Sequence, residues 1–320
     1  MNKLLVICGL TATGKTSLAI HLCQLFNGEV VSADSKQVYK GMNIGTGKDL
    51  PVNPKLKIEN SKLPGFYEVD GVEIWGYDLA DPKQKFSVAH YIKIAQKIIN
   101  DIWRRNKLPI LVGGTGFYIK GIVDGIPTAQ VPRNEILRKS LEKKGTRELF
   151  EILKYYDSDK AESLNSSDKK NPRRLVRAVE IASKKSDVRY QEQVSSWDKM
   201  DVLFIGLMMP RKSLFERISG RVNTRLKQGF EDEVKRLITN GVSWKDQSLQ
   251  TLGYKQWREY ITGRITREEA VNNWKQEEKK YAKRQMTWFK KERRINWFDV
   301  LEGNWRKNVE KLVRGWYSNE

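Results

Sequence analysis

Short unbroken apolar runs alternate with stretches of helical period along the first third of the chain. Lys3–Cys8 reads as a buried strand, and Lys15–Phe26 as the helix that follows it. Glu29–Ala33 (EVVSA) is a second buried strand, ending at Asp34-Ser35. Residues 40–65 carry Gly and Pro without periodicity and read as loop. Phe66–Tyr77 alternates like a small hairpin turned at Asp70-Gly71. Ser87 can cap a helix running to about Asn106, with Ala89, Ile92, Ala95 and Ile99 on one face. Leu108–Val112 (LPILV) is a third buried strand, followed by Gly113-Gly114-Thr115-Gly116. Residues 125–200 break this rhythm, being polar, charged and helical in pattern. A strand returns at Asp201–Leu207, helical pattern runs from Lys212 to about Arg294, and a short Ile295–Phe298 segment and a last helix follow. Buried strands alternating with helices predict an α/β fold, a parallel sheet flanked by helices on both faces. The expected organisation is a core of residues 1–124 and 201–320, with an inserted all-helical subdomain at 125–200 and a helical C-terminal part.

One loop in this scheme carries chemistry. The first strand and helix are joined by GLTATGKT: Gly9, Leu10, Thr11, Ala12, Thr13, Gly14, Lys15 and Thr16. The spacing G-x-x-x-x-G-K-[ST] between a strand and a helix is that of a phosphate-binding loop. Its glycines let several N–H groups face one centre, Lys15 adds a point charge, Thr16 can hold Mg2+, and the helix start favours anions. NTPases and kinases of this type usually offer a second apolar strand ending in Asp for the metal. Here the 108–112 strand ends in glycines instead, and the strand that ends in Asp is the second one, at Asp34. A carboxylate there can coordinate metal or take a proton from a nucleophile; spacing does not choose between the two.

Charge narrows the partner. The net charge is +20 over 320 residues, with +6 on residues 1–120 and +14 on the remaining 200. A polyanion such as nucleic acid fits this surface. Arg217, Arg221 and Arg225 recur at four-residue spacing, a helix face able to grip a diphosphate or simply a solvated one. Residues 274–294 interleave nine Lys and Arg with Trp274, Tyr281, Trp288 and Phe289, a pattern suited to RNA unless the rings are core. The two cysteines, Cys8 and Cys23, and two histidines make a zinc site improbable. No apolar run is long enough to span a bilayer and no leader is visible, so the expectation is a cytoplasmic protein without membrane contact.

After GLTATGKT, the stretch SADSKQVYKGMNIGTGK at 32–48 resembles tRNA dimethylallyltransferases, the IPP transferase (tRNA isopentenyltransferase) family. LVGGTGFYIKGI at 111–122, NPRRLVRAVEI at 171–181, RVNTRLKQGFEDEV at 221–234, LGYKQ at 252–256 and YAKRQMTWFKK at 281–291 extend the resemblance over most of the chain. It implies transfer of a dimethylallyl group from dimethylallyl diphosphate to N6 of the adenosine immediately 3′ of the tRNA anticodon, with diphosphate released. By resemblance the loop with Thr16-bound Mg2+ and Arg221 holds the diphosphate, and Asp34 acts as general base. The same resemblance places Asp34, Ser35, Lys36, Gln37 and Thr115 against the flipped adenosine. It adds Arg138, then Arg173, Arg174, Leu175, Val176 and Arg177, then Gln250, Thr251, Leu252, Gly253, Tyr254 and Lys255 as the tRNA-binding set. The insert would grip the anticodon stem-loop, and the enzyme is expected to be a monomer. Two departures stand out. Lys36 replaces the family's usual Arg, and Trp75-Gly76-Tyr77-Asp78-Leu79 stands where the family has a His-His-Leu-Ile-Asp-like stretch. A small-molecule kinase or NTPase, a nucleotide-switched RNA-binding protein, and an enzyme prenylating free adenine nucleotides are the rival readings.

Overall fold

The computed structural model describes residues 1–51, 54–59, 61–129, 131–184 and 200–318. They cluster into two compact units: Met1–Val123 with Trp197–Glu320, and Asp124–Ser196. No helix among the described residues is long and apolar enough to cross a membrane.

The larger unit is built on a seven-stranded sheet. In chain order its elements are β1 (Asn2–Gly9), α1 (Lys15–Phe26), β2 (Gly28–Ser32), β3 (Tyr67–Val69), β4 (Val72–Trp75), α2 (Val88–Arg104), β5 (Leu108–Val112) and α3 (Gly116–Val123). The strands lie in the order β3-β4-β2-β5-β1, continued by β6 and β7, given below. Apolar runs without alternation become strands buried on both faces. In β1, Leu4, Val6 and Cys8 join the core on one side, while Leu5 and Ile7 join the core on the other. The expectation of a parallel sheet holds except at one edge, where β3 runs antiparallel to β4. The cause is local: Asp70 and Gly71 adopt φ of 51° and 76°, a two-residue turn that can only fold the chain back on itself. Because β2, β5 and β1 are parallel, their following loops, 33–37, 113–116 and 10–14, emerge at one end of the sheet.

Helix boundaries follow from local chemistry. α1 ends at Asn27, whose φ of 49° caps it in the left-handed region. Ser87 caps α2 by accepting the His90 N–H at 3.3 Å. The buried face of α2 carries Tyr91, Ala95, Ile98, Ile99 and Ile102. The stripe predicted from Ala89 and Ile92 is rotated, because the ring of Tyr91 takes the central place and stacks on Tyr118 at 4.2 Å.

The smaller unit holds α4 (Glu135–Leu141), α5 (Thr146–Tyr156), α6 (Ser158–Glu162), α7 (Ser166–Lys169) and α8 (Pro172–Ala182) around a core that includes Leu149, Leu153, Leu175 and Val179. The chain then returns through β6 (Met200–Met208), which pairs with β1 in parallel along eight residues. α9 (Arg211–Lys227), α10 (Phe230–Thr239), α11 (Tyr254–Ile261), α12 (Arg267–Phe289), β7 (Ile295–Asp299) and α13 (Trp305–Ser318) complete the larger unit. α12 starts with a reciprocal cap between Thr266 and Glu269. The C-terminal helices meet at Phe230, which is fully buried against Tyr254, Trp257 and Trp274, with ring centroids 5.0, 5.5 and 4.4 Å away.

Deleting that ring leaves a cavity between three helices. Phe230→Ala is expected to lower unfolding stability by about 3–5 kcal/mol, read as a shift of the urea midpoint at unchanged slope. A shift equivalent to less than about 1 kcal/mol would show that the cluster is not a keystone.

Candidate functional site

The three loops at the sheet end surround a cavity of about 740 Å³. Its wall is laid down first by the phosphate loop. Gly9 has a φ of 118° and its backbone lies against Leu207, so a side chain has no place there. Ala12 and Gly14 also take positive φ, 62° and 86°, which curls the loop around one centre ahead of α1. Thr11, Ala12, Gly14, Lys15 and Thr16 line the cavity. Leu10 is buried, and Thr13 turns inward to donate to the Leu10 carbonyl at 2.8 Å, so these two brace the loop.

Lys15 donates to the same Leu10 carbonyl at 2.6 Å. Burial pulls its pKa down to about 8, and the neighbouring Arg221 adds to the effect, while Asp34 opposes it. Arg221, on α9, reaches Thr11 Oγ1 at 3.4 Å and the Gly47 carbonyl at 3.3 Å, and faces Asp49 at 3.6 Å. Arg217 also lines the cavity. Arg225 departs from the expected exposed face: it is buried and pairs with Glu278 of α12 at 3.1 Å. The spacing of the three arginines matched a helix face, but α12 covers its last turn.

Opposite lies the 33–37 loop. Asp34 Oδ1 accepts the Lys36 N–H at 2.9 Å, a local turn that fixes the carboxylate while both Asp34 and Lys36 line the cavity. Ser35 N–H donates to Thr115 Oγ1 at 3.2 Å, tying this loop to the glycine loop after β5. Gln37 accepts from Ser32 Oγ at 2.8 Å and donates to the Gly47 carbonyl at 3.0 Å. Gln250, Thr251 and Leu252 also face the cavity. Gly253, Tyr254 and Lys255 do not line it. Tyr254 is fully buried, and Gly253 packs against the indole of Trp274.

Several residues of this site lie in or beside the family-like stretches but were not assigned to it from the sequence. Gly45–Asp49 lies in a stretch that reads as loop, yet Gly45, Thr46, Gly47 and Asp49 line the cavity. The Glu233 carboxylate holds this segment, accepting the N–H groups of Asn43, Ile44 and Gly45 at 2.7, 2.8 and 2.9 Å and the Tyr254 hydroxyl at 2.5 Å. Lys48, buried, donates to the Tyr39 carbonyl at 2.8 Å and to Asn43 at 2.9 Å, and pairs with Asp78. On α12, Gln285 accepts the Thr11 N–H at 2.9 Å and donates to the Gly114 carbonyl at 3.0 Å, bridging two loops. Tyr281, Arg284 and Gln285 line the wall. Of the other rings in that basic stretch, Trp274 and Phe289 are core, while Trp288 is exposed against Phe117.

Arg138, Arg173, Arg174, Leu175, Val176 and Arg177 belong to the smaller unit. Arg138 and Arg177 both grip Glu180, at 2.7 and 2.5 Å, and hold its carboxyl down at about 2 against the opposing effect of burial. Arg174 pairs with Asp168, Arg173 is exposed, and Leu175 and Val176 are core. Among the described residues no three His, Cys, Asp or Glu side chains could hold a metal together. The donors that face the cavity are hard oxygens, among them Thr16 and the carboxylates of Asp34, Asp49 and Glu278. That set suits a hydrated Mg2+ carried in with a phosphate group rather than a protein-caged ion.

Residues 37–292 match the pattern of the IPP transferase family, and residues 2–60 that of isopentenyl transferases. The chain belongs to the IPP transferase family. A tRNA dimethylallyltransferase of Caldicellulosiruptor saccharolyticus is 40% identical over 316 residues, 96% of each chain. One from Anoxybacillus flavithermus is 38% identical over 304 residues, 94% of this chain and 91% of the relative. The crystal structure of the full-length tRNA isopentenylpyrophosphate transferase from Bacillus halodurans superposes with a TM-score of 0.69 at 34% identity, over 99% of this chain and 97% of that one. A eukaryotic dimethylallyltransferase captured acting on tRNA gives a TM-score of 0.77 at 26% identity, over 98% and 78%. In this IPP transferase the phosphate loop, Arg221 and Asp34 all line one cavity.

The depressed Lys15 ammonium has a measurable consequence. The protonated form attracts an anion, so raising the pH through about 8 removes its charge from the cavity and should weaken anion binding. Calorimetric titration of inorganic pyrophosphate between pH 7 and 10 is expected to show affinity falling above pH 8 more steeply than in Lys15→Met, which shares the titration of the anion itself. Parallel profiles would remove Lys15 from the cradle.

Proposed function

We propose that this chain transfers a dimethylallyl group from dimethylallyl diphosphate to N6 of the adenosine immediately 3′ of a tRNA anticodon. The observation that carries this reading is one cavity with two chemically opposite walls. The phosphate loop, Lys15 and Arg221 form a cationic cradle, and Asp34 with Gln250–Leu252 forms a face able to meet a base edge, with Thr115 bracing the Asp34 loop through Ser35.

In the proposed reaction the N6 lone pair attacks C1 of the prenyl group as the C1–O bond to diphosphate breaks. Negative charge then grows on the leaving group. In this reading the phosphate loop, Lys15 and Arg221, which the fold holds around the cavity, stabilise that charge. Asp34 accepts the N6 proton; no described residue bonds its Oδ2, which leaves that oxygen available. Mg2+, held by Thr16 and the diphosphate oxygens, would supply further charge neutralisation on the leaving group.

A stacked base cannot reach such a cavity, so the adenosine is taken to flip out of the loop of the tRNA. Ser35, Lys36, Gln37 and Thr115 line its path in this proposal. The smaller unit, with Arg138, Arg173, Arg174 and Arg177, is assigned to the anticodon stem-loop. The protein is expected to work as a monomer in the cytoplasm.

The test combines the protein with Mg2+, dimethylallyl diphosphate and unmodified tRNA, followed by digestion and mass analysis of nucleosides. A nucleoside heavier by one isopentenyl group, absent when ATP replaces the prenyl donor, supports the assignment; ATP hydrolysis without that product overturns it. Asp34→Asn should lower kcat by about 10²–10⁴-fold while tRNA affinity stays nearly intact. A large loss of tRNA binding would make Asp34 a recognition residue instead. The logarithm of tRNA affinity should also fall steeply and linearly with the logarithm of salt concentration, since phosphate contacts dominate such binding; a flat response would count against a basic docking face.

A further inference from the structure

The segment that departs from the family pattern, Trp75–Leu79, forms part of the cavity. Val72 and Ile74 of β4 join the same core as Val30 and Val112, while Trp75 points to the other side, where its indole donates to buried Glu29 at 2.9 Å. Regular alternation would send Tyr77 the way of Trp75. It does not, because Gly76 takes a φ of 88°, with its backbone so close to Ser32 that a Cβ would stand 2.9 Å from the Ser32 carbonyl oxygen. The left-handed residue reverses the alternation and returns Tyr77 to the side of Val30 and Val112, where it lines the cavity.

The ring is fixed. Tyr77 is 3% exposed and packs against Tyr67 at 6.3 Å. Tyr67 is itself anchored through its hydroxyl on Asp78, which pairs with Lys48. The Tyr77 hydroxyl makes no hydrogen bond with any described residue. Its oxygen is not sealed into the core but opens on the cavity, where an oxygen of a bound ligand can reach it. Its charged surroundings are Asp49, Asp34, Arg221 and Asp78. Asp49 and Arg221 lie together, and Arg221 reaches the phosphate loop at Thr11. Burial and the nearby carboxylates hold the phenol far above its ordinary titration range, so it is a donor at every working pH. A donor beside Arg221 suits an anionic oxygen.

We propose that the Tyr77 hydroxyl donates a hydrogen bond to the diphosphate of the prenyl donor, on the Arg221 side of the cradle, as a binding residue supplied by the departing 75–79 segment. This rests on the reading of the cavity as a diphosphate site. The experiment measures two affinities for wild type, Tyr77→Phe and Lys15→Ala: inorganic pyrophosphate by calorimetry and unmodified tRNA by filter binding. Tyr77→Phe removes one oxygen and keeps the ring, and circular dichroism checks that its melting is unchanged. Pyrophosphate should bind Tyr77→Phe about tenfold to a hundredfold more weakly, with kcat/KM for dimethylallyl diphosphate falling by a similar factor and tRNA affinity within about twofold of wild type. Unchanged pyrophosphate affinity, or a loss confined to tRNA, would overturn the assignment of the hydroxyl. Wild type that binds no pyrophosphate, or binds it no better than Lys15→Ala, would instead overturn the cradle itself.

Discussion

Two like charges 4 Å apart repel by roughly 4 kcal/mol in a protein-like medium, and this site gathers Lys15, Arg221 and Arg225 against one cavity. Much of the surrounding architecture answers that constraint. Arg225 is neutralised by Glu278 from another helix, Arg221 faces Asp49, and Lys15 relaxes by giving up proton affinity. An anion entering the cavity, as proposed above, would relieve this repulsion, so the same field would favour its binding. Preorganisation of this kind has to be built into the fold, because flexible cations would move apart.

Holding those charges in place falls to groups that do no chemistry. The Glu233 carboxylate gathers three consecutive backbone N–H groups and a tyrosine hydroxyl, turning the 43–47 stretch into a rigid wall without a single strand or helix. Lys48 and Asp78 lock the same stretch to the hairpin edge. Gln285 joins the phosphate loop to the glycine loop through its two amide ends. Three irregular loops thus behave as one surface because buried polar side chains stitch them to helices, and a backbone group left unpaired there would cost as much as the bond that it lost.

The strands β1, β2 and β5, the Asp70-Gly71 turn and the phosphate loop were legible in the sequence because each is a local matter of apolar runs and turn chemistry. So was Asp34, as the polar end of an apolar strand. What was not legible depended on contacts between distant segments. Nothing within 40–65 shows that its amides will meet Glu233, and nothing in 211–227 shows that α12 will bury Arg225. A signal did exist. Glu233 falls on the same helical face as Phe230, Val234 and Leu237, and Glu278 on that of Trp274, Ala282 and Gln285. A carboxylate on a core-facing stripe is costly unless something pairs with it. Tyr77 was hidden for another reason: period-two reading assumes unbroken alternation, and one left-handed glycine reverses it.

The smaller unit enters and leaves the chain within a single connection, between α3 and β6. Both β5 and β6 take their register from β1, so the sheet does not depend on how long that connection is. The entropy of closing a loop grows only with the logarithm of its length, about 0.6 kcal/mol per doubling. Insertions and deletions there are thermodynamically cheap, whereas one residue added to β1 would misplace the phosphate loop. Evolution can therefore rework the inserted unit, in length and in charge, on a timescale decoupled from that of the catalytic core. Divergence among relatives should accumulate in this connection first, as a variable module carried by an unvarying frame.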